Sequence, residues 1–277
     1  MNTASVIALG AIAGATIFLG LPIGRLGPRA VGLRAMLNAV TIGVLLFLLW
    51  DVLTHAVEPV EAALAAATDH TATWWPFLGL AALLFAGLAV GLLSLVAYDR
   101  WIAARAIRTG PREFEGSSDG MLRLHEPASR LAFLIAVGIG LHNFSEGLAI
   151  GQSAASGRLN LAVVLVVGFA LHNATEGFGI TAPLAGATTR SSWRQLALLG
   201  LIGGAPTLVG TLLGSVYVND VLSLIFLALA AGSIIYVVVQ LTGVALRFGR
   251  TYTLYIGILV GLLAGFITDF IVTAAGV

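Results

Sequence analysis

Eight apolar runs, each broken by short polar stretches, order the whole chain. A helix that crosses a hydrocarbon core needs about 20 apolar residues. The runs fall at about 3–24, 32–56, 74–98, 129–152, 160–186, 195–217, 221–246 and 252–275. This pattern predicts an all-α, polytopic membrane protein with eight transmembrane helices. The first run is too long, and lacks the basic leader, for a cleavable signal peptide. The longest connection, about 99–128, is polar and includes "RTGPREFEGSSDG", which reads as disordered. The connection at 57–73 is short and mildly acidic. Neither leaves room for a soluble domain, so residues 1–277 are expected to form a single transmembrane domain.

Composition agrees. Hydrophobic residues make up 58% of the chain and charged residues 10%, against about 25% charged in soluble domains. The 34 glycines suit closely packed membrane helices. Cysteine is absent, which excludes disulfides and thiolate metal sites. A net charge of +1 gives no reason to expect nucleic acid as a partner. The bilayer itself is the expected partner.

All 14 basic residues are arginine, and their placement predicts orientation. With the N-terminus outside, the cytoplasmic connections hold Arg25, Arg29 and Arg34, then Arg100, Arg105, Arg108, Arg112, Arg123 and Arg130. Arg190 and Arg194 follow, and then Arg247 and Arg250. Only Arg158 falls outside. Eight spans with both termini outside, in the cell membrane, are therefore expected.

Within this apolar background "LHNFSEGLAIG" runs from Leu141 to Gly151, and "LHNATEGFGI" from Leu171 to Ile180. His and Glu are spaced i, i+4, which places them on one helix face. His142, Asn143 and Glu146 therefore converge on span four, and His172, Asn173 and Glu176 on span five. At about 1.5 Å per residue, all six lie near the middle of a core about 30 Å thick. The two helices are antiparallel, joined near Ser156–Arg158. His142 and Glu176 consequently point toward the cytoplasmic half, Glu146 and His172 toward the outer half. Two carboxylates at that depth repel each other and are costly to bury. A bound cation removes both problems. Imidazole, carboxylate and amide donors suit Zn²⁺, and less selectively Fe²⁺, Mn²⁺, Co²⁺, Ni²⁺ or Cd²⁺. A single transmembrane His or Asn is often only an interhelical hydrogen bond. Two copies at matching depth make packing alone a poor explanation. A proton relay through the same residues competes more closely.

"HNFSEG" and "HNATEG" resemble the motifs of the ZIP (Zrt/Irt-like) metal transporter family, close to its prokaryotic GufA-type branch. The resemblance implies eight spans and a transported divalent metal, with no prosthetic group. It implies import toward the cytoplasm by alternating access, one bundle of helices carrying the site past a more static one. His142 and Glu146 become ligands from span four. Glu176 completes or bridges the site, His172 ligates or flanks it, and Asn143 and Asn173 serve an adjacent second site. The family often has Pro before the motif Glu, where this chain has Ser145 and Thr175. Straighter helices are expected in consequence. Thr207 and Gln240 stand where family members commonly carry acids, so one well-held metal and a degenerate second site are expected.

Other polar residues are candidates for the path. Asp51 and His55, i and i+4 near the outer end of span two, suit an entrance or an interfacial pair beside Trp50. Asp269 in span eight suits cation steering or a solvated position. Asn38 and Met36 are candidate path residues on span two. A homodimer is a candidate assembly. Against import stand metal efflux, an intramembrane metal-dependent hydrolase and a purely structural role. The chain lacks the HExxH motif of zinc proteases and the cytoplasmic metal-binding domain usual in exporters.

Overall fold

The computed structural model describes residues 3–26, 30–109, 122–156, 159–186, 190–217 and 219–274. Residues 110–121, with most of "RTGPREFEGSSDG", lie outside this description, as do Arg29, Arg112 and Arg158. Among the described residues every regular element is helical. Eight helices among the described residues are long and apolar enough to cross a membrane.

Span one is segmented. Thr3–Ala15 ends at Thr16, Ile17–Gly20 follows, and a 3-10 turn closes it at Leu21–Arg25. Thr16 Oγ1 donates to Ala13 O at 2.6 Å, a local bond that competes with the helical ladder. Span four is Pro127–Ala155, span five Leu159–Thr181 continued by a 3-10 turn to Gly186, and span six Trp193–Gly214. Spans seven and eight are Asp220–Arg247 and Thr251–Ala274. Ser192 and Asn219 cap spans six and seven through their side chains.

Two helices outrun the apolar segments that announce them. Span two runs Val31–Thr68, so the stretch from 57, expected as a connection, is helical. Pro59 removes one backbone bond, but "EAALAAAT" beyond it is rich in strong helix formers. Span three runs Trp74–Thr109. Its end is held at the interface, where Tyr98 stacks on Trp101 (5.7 Å) and Arg105 lies over the Trp101 ring (5.5 Å). Hydropathy marks where lipid ends. It does not mark where a helix ends.

Glycine decides which helices lie backbone to backbone. A Cβ on Gly147 would stand 2.1 Å from Thr207 O, and one on Gly151 2.2 Å from Thr211 O. The constant offset makes spans four and six parallel neighbours. Gly14 and Gly204 join span one to span six, while Gly20 and Gly177 join it to span five. Span two meets span eight through Gly43 and Gly261, and span three meets span seven through Gly91 and Gly232. Spans one, four, five and six thus share backbone contacts. Spans two and eight, and three and seven, make their own. Arg25 and Arg190 add a clasp at one end of the first group. Arg25 Nη1 donates to Ser191 O (2.7 Å), and Arg190 Nη2 returns a bond to Arg25 O (2.7 Å).

Gly147→Val forces spans four and six apart. Overpacking of this kind costs about 1–3 kcal/mol. Thermal unfolding in detergent should show a clearly lowered midpoint, and an unchanged midpoint would contradict this packing.

Candidate metal centre

The i, i+4 spacing carries both His142 and Glu146 onto the inner face of span four. His142 is fully buried and Glu146 is 6% exposed. His142 Nε2 lies 2.9 Å from Glu146 Oε1. Span five brings His172 Nε2 to 2.7 Å from the same oxygen, a hydrogen bond. His142 Nε2 is also 3.5 Å from Glu176 Oε1, and Glu176 is fully buried. The antiparallel crossing pairs Glu146 with His172 and His142 with Glu176. One ligand atom each from His142, Glu146 and His172 falls within 4.8 Å of the others.

The bonding of these groups is incomplete. Both nitrogens of His142, Glu146 Oε2 and both oxygens of Glu176 lack hydrogen-bond partners. The 2.9 Å approach of His142 to Glu146 is therefore a contact without hydrogen-bond alignment. Buried polar groups are normally paired, because a bare one costs about 1–3 kcal/mol. Two carboxylates and two imidazoles with spare lone pairs fit a divalent cation of the borderline class.

The remaining motif positions fasten the helices. Asn143 Nδ2 donates to Gly203 O on span six (2.9 Å), and Gly147 lies against Thr207 O of the same helix. In the second motif Asn173 Nδ2 donates to Ala13 O on span one (3.0 Å), and Gly177 lies against Ile17 O. The partners are four residues apart in both cases, so the two motifs are docked in the same way. Oδ1 of each asparagine is buried and has no hydrogen-bond partner. Where the family often has Pro, Ser145 donates to Phe226 O (3.1 Å), and Thr175 Oγ1 bonds back to His172 O (2.7 Å). Both helices run unbroken through these positions.

The other candidates are dispersed. Thr207 is fully buried with its hydroxyl unpartnered, beside Gly14 and Gly147. Asn38 is buried and donates to Leu241 O (3.1 Å), leaving Oδ1 without a hydrogen bond. Met36 is half-buried and turns its carbonyl to Gly257. His55 Nδ1 lies 3.6 Å from Asp51 Oδ1 and 2.9 Å from Asp51 O. Asp269 is half-buried on span eight. Gln240 lies elsewhere, on the wall of a cavity of about 630 Å³ at the arginine-rich helix ends.

That cavity is a feature the sequence reading missed. Asp99, Glu126, Arg130 and Arg247 line it, together with Ala182 and Pro183 from the turn that continues the helix of Glu176. Arg130 Nε bonds Asp99 Oδ1 at 3.1 Å, and Arg123 pairs with Glu126. The signal available was Asp99, an acid at the end of an apolar run ("AYDRW") with Arg130 at the start of the next.

Residues 115–242 match the family model described as Zip, ZIP Zinc transporter. The match takes in both motifs and bears out the ZIP resemblance drawn from them. The match supports divalent-metal transport, through a multi-pass membrane protein, as the class to which fold and site point. A comparison with curated proteins finds no match.

Glu146 Oε1 is the atom both histidines approach. Glu146→Gln is expected to weaken Zn²⁺ binding at least about tenfold, the scale of lost metal-site interactions. Competition with a chromophoric chelator measures it, and unchanged affinity would remove Glu146 from the site.

Proposed function

We propose that the chain imports a divalent metal ion, Zn²⁺ first, toward the cytoplasm by alternating access. The observation that carries this reading is the cluster of buried His142, Glu146 and Glu176 with half-buried His172, and its unpartnered nitrogens and oxygens. Two nitrogens and two oxygens match the tetrahedral preference of zinc. Fe²⁺, Mn²⁺, Co²⁺, Ni²⁺ and Cd²⁺ are accepted less selectively, because such donors rank metals by availability as much as affinity.

In this reading Asp51, His55 and Asp269 attract the ion at the outer mouth, with Asn38 and Met36 bordering its route. The free Oδ1 atoms of Asn143 and Asn173 supply a weak adjacent site, which Thr207 and Gln240, being uncharged, do not reinforce. The cavity beside Asp99 and Arg130 is the inward exit. Arginine placement supports both termini outside and a location in the cell membrane, and the motifs support the GufA-type branch. No catalytic step is assigned.

Metal uptake into proteoliposomes tests the function. The His142→Ala/Glu176→Ala double variant is expected to lose uptake by at least about tenfold, as ligand deletion does. Undiminished uptake would rule out the assigned site. Inward rather than outward movement follows from the sign of the change in cell metal content on expression.

Metal must displace protons from the imidazoles, so binding releases them. Uptake should therefore fall as pH drops from about 8 to 5, the range in which histidine charges. A flat profile across that range contradicts ligation by His142 and His172.

A further inference from the structure

Two kinds of polar contact fasten the metal-bearing helices, and they differ in what happens when they break. Asn143 and Asn173 reach backbone carbonyls of spans six and one. Among the described residues Asn173 Nδ2 has no acceptor besides Ala13 O, while Asn143 also lies within hydrogen-bonding reach of Glu176. Breaking the Asn173 bond strands a buried donor, which is costly. These bonds lie inside the glycine-packed group of spans one, four, five and six.

Two hydroxyls at the seam between that group and spans two and seven are placed differently. Thr41 Oγ1 on span two lies 2.8 Å from Thr175 O, next to Glu176, and 2.9 Å from Leu37 O of its own helix. Ser233 Oγ on span seven lies 3.0 Å from Gly138 O on span four and 2.8 Å from Ala230 O of its own helix. Both side chains are fully buried. Each has one proton and two acceptors, one across the seam and one at home. If the seam shifts, the hydroxyl keeps its own-helix carbonyl and no donor is left bare. Serine and threonine are the residues that bond back to a carbonyl three or four positions earlier.

We propose that Thr41 and Ser233 are positioning residues of the transport cycle. They hold the metal-bearing helices in the present register against spans two and seven. Each passes its hydrogen bond back to its own helix when those helices move. The inference rests on the transporter reading above, in which the metal-bearing helices move.

The chain has no cysteine, so spin labels can be placed without removing any. Val167 on span five and Leu246 on span seven are exposed on the helix surface. Labels at Val167→Cys and Leu246→Cys report the distance across the seam. The Thr41→Val/Ser233→Ala variant keeps the side-chain bulk nearly intact and loses both hydroxyls. It is expected to shift the ratio of distance populations about threefold or more away from the distance in this structure, the scale of one or two ordinary hydrogen bonds. Thr41→Ser with Ser233→Thr should retain the parent distribution, and Zn²⁺ affinity should stay within about twofold in both variants, since neither touches a ligand. Should the double variant fail to bind Zn²⁺, the single variants carry the test, each with a smaller shift of the same sign. A distance distribution unchanged by loss of the hydroxyls overturns the proposal. The distance readout does not depend on uptake. Failure of the wild-type chain to move metal, with the shift present, would instead sink the transport reading alone.

Discussion

Two carboxylates buried together among apolar helices govern this structure. Glu146 and Glu176 stand beside His142 and His172 with almost no access to solvent, and three of their four oxygens have no hydrogen-bond partner. A lone buried carboxylate would take up a proton, and a repelling pair would do so more readily. Imidazoles within 3.5 Å offer another outcome, a shared cation that each donor helps to hold. The cation is exchangeable if the donors compete with protons, which a transporter needs and a structural site does not.

The rest of the fold keeps those donors convergent. Each motif places its His and Glu one turn apart, then spends its asparagine and glycine on a neighbouring helix. Asn143 and Gly147 dock on span six, and Asn173 and Gly177 on span one, with identical spacing between the partners. The two halves of the site are thus supported alike although their partners lie at opposite ends of the chain. This explains why His, Asn, Glu and Gly recur together, where ligation alone would require only His and Glu.

The convergence of the His and Glu side chains was legible because helical periodicity is local. Spacing of i, i+4 fixes a face, and antiparallel order fixes which residues meet across it. Eight spans were legible for the same reason, from runs of apolar residues. The ZIP match over residues 115–242 agrees with the motif reading. What periodicity does not carry is partnership across long separations. Nothing near Asn173 names Ala13 as its acceptor, and nothing near Thr41 names Thr175. Helix ends were also obscured, because Thr68 and Thr109 end segments held by alanine-rich and arginine-bearing turns that hydropathy does not count. The cavity walled by Asp99 and Arg130 needed residues from five spans to be brought together.

The most direct measurement is a structure of the zinc-soaked protein with anomalous scattering at the zinc edge. The account predicts one strong peak between spans four and five, with Nε2 of His142 and His172 at about 2.0–2.1 Å and oxygens of Glu146 and Glu176 at about 2.0–2.2 Å. A peak at another place with these four side chains unligated, or no peak at all from a protein that takes up zinc, would contradict it.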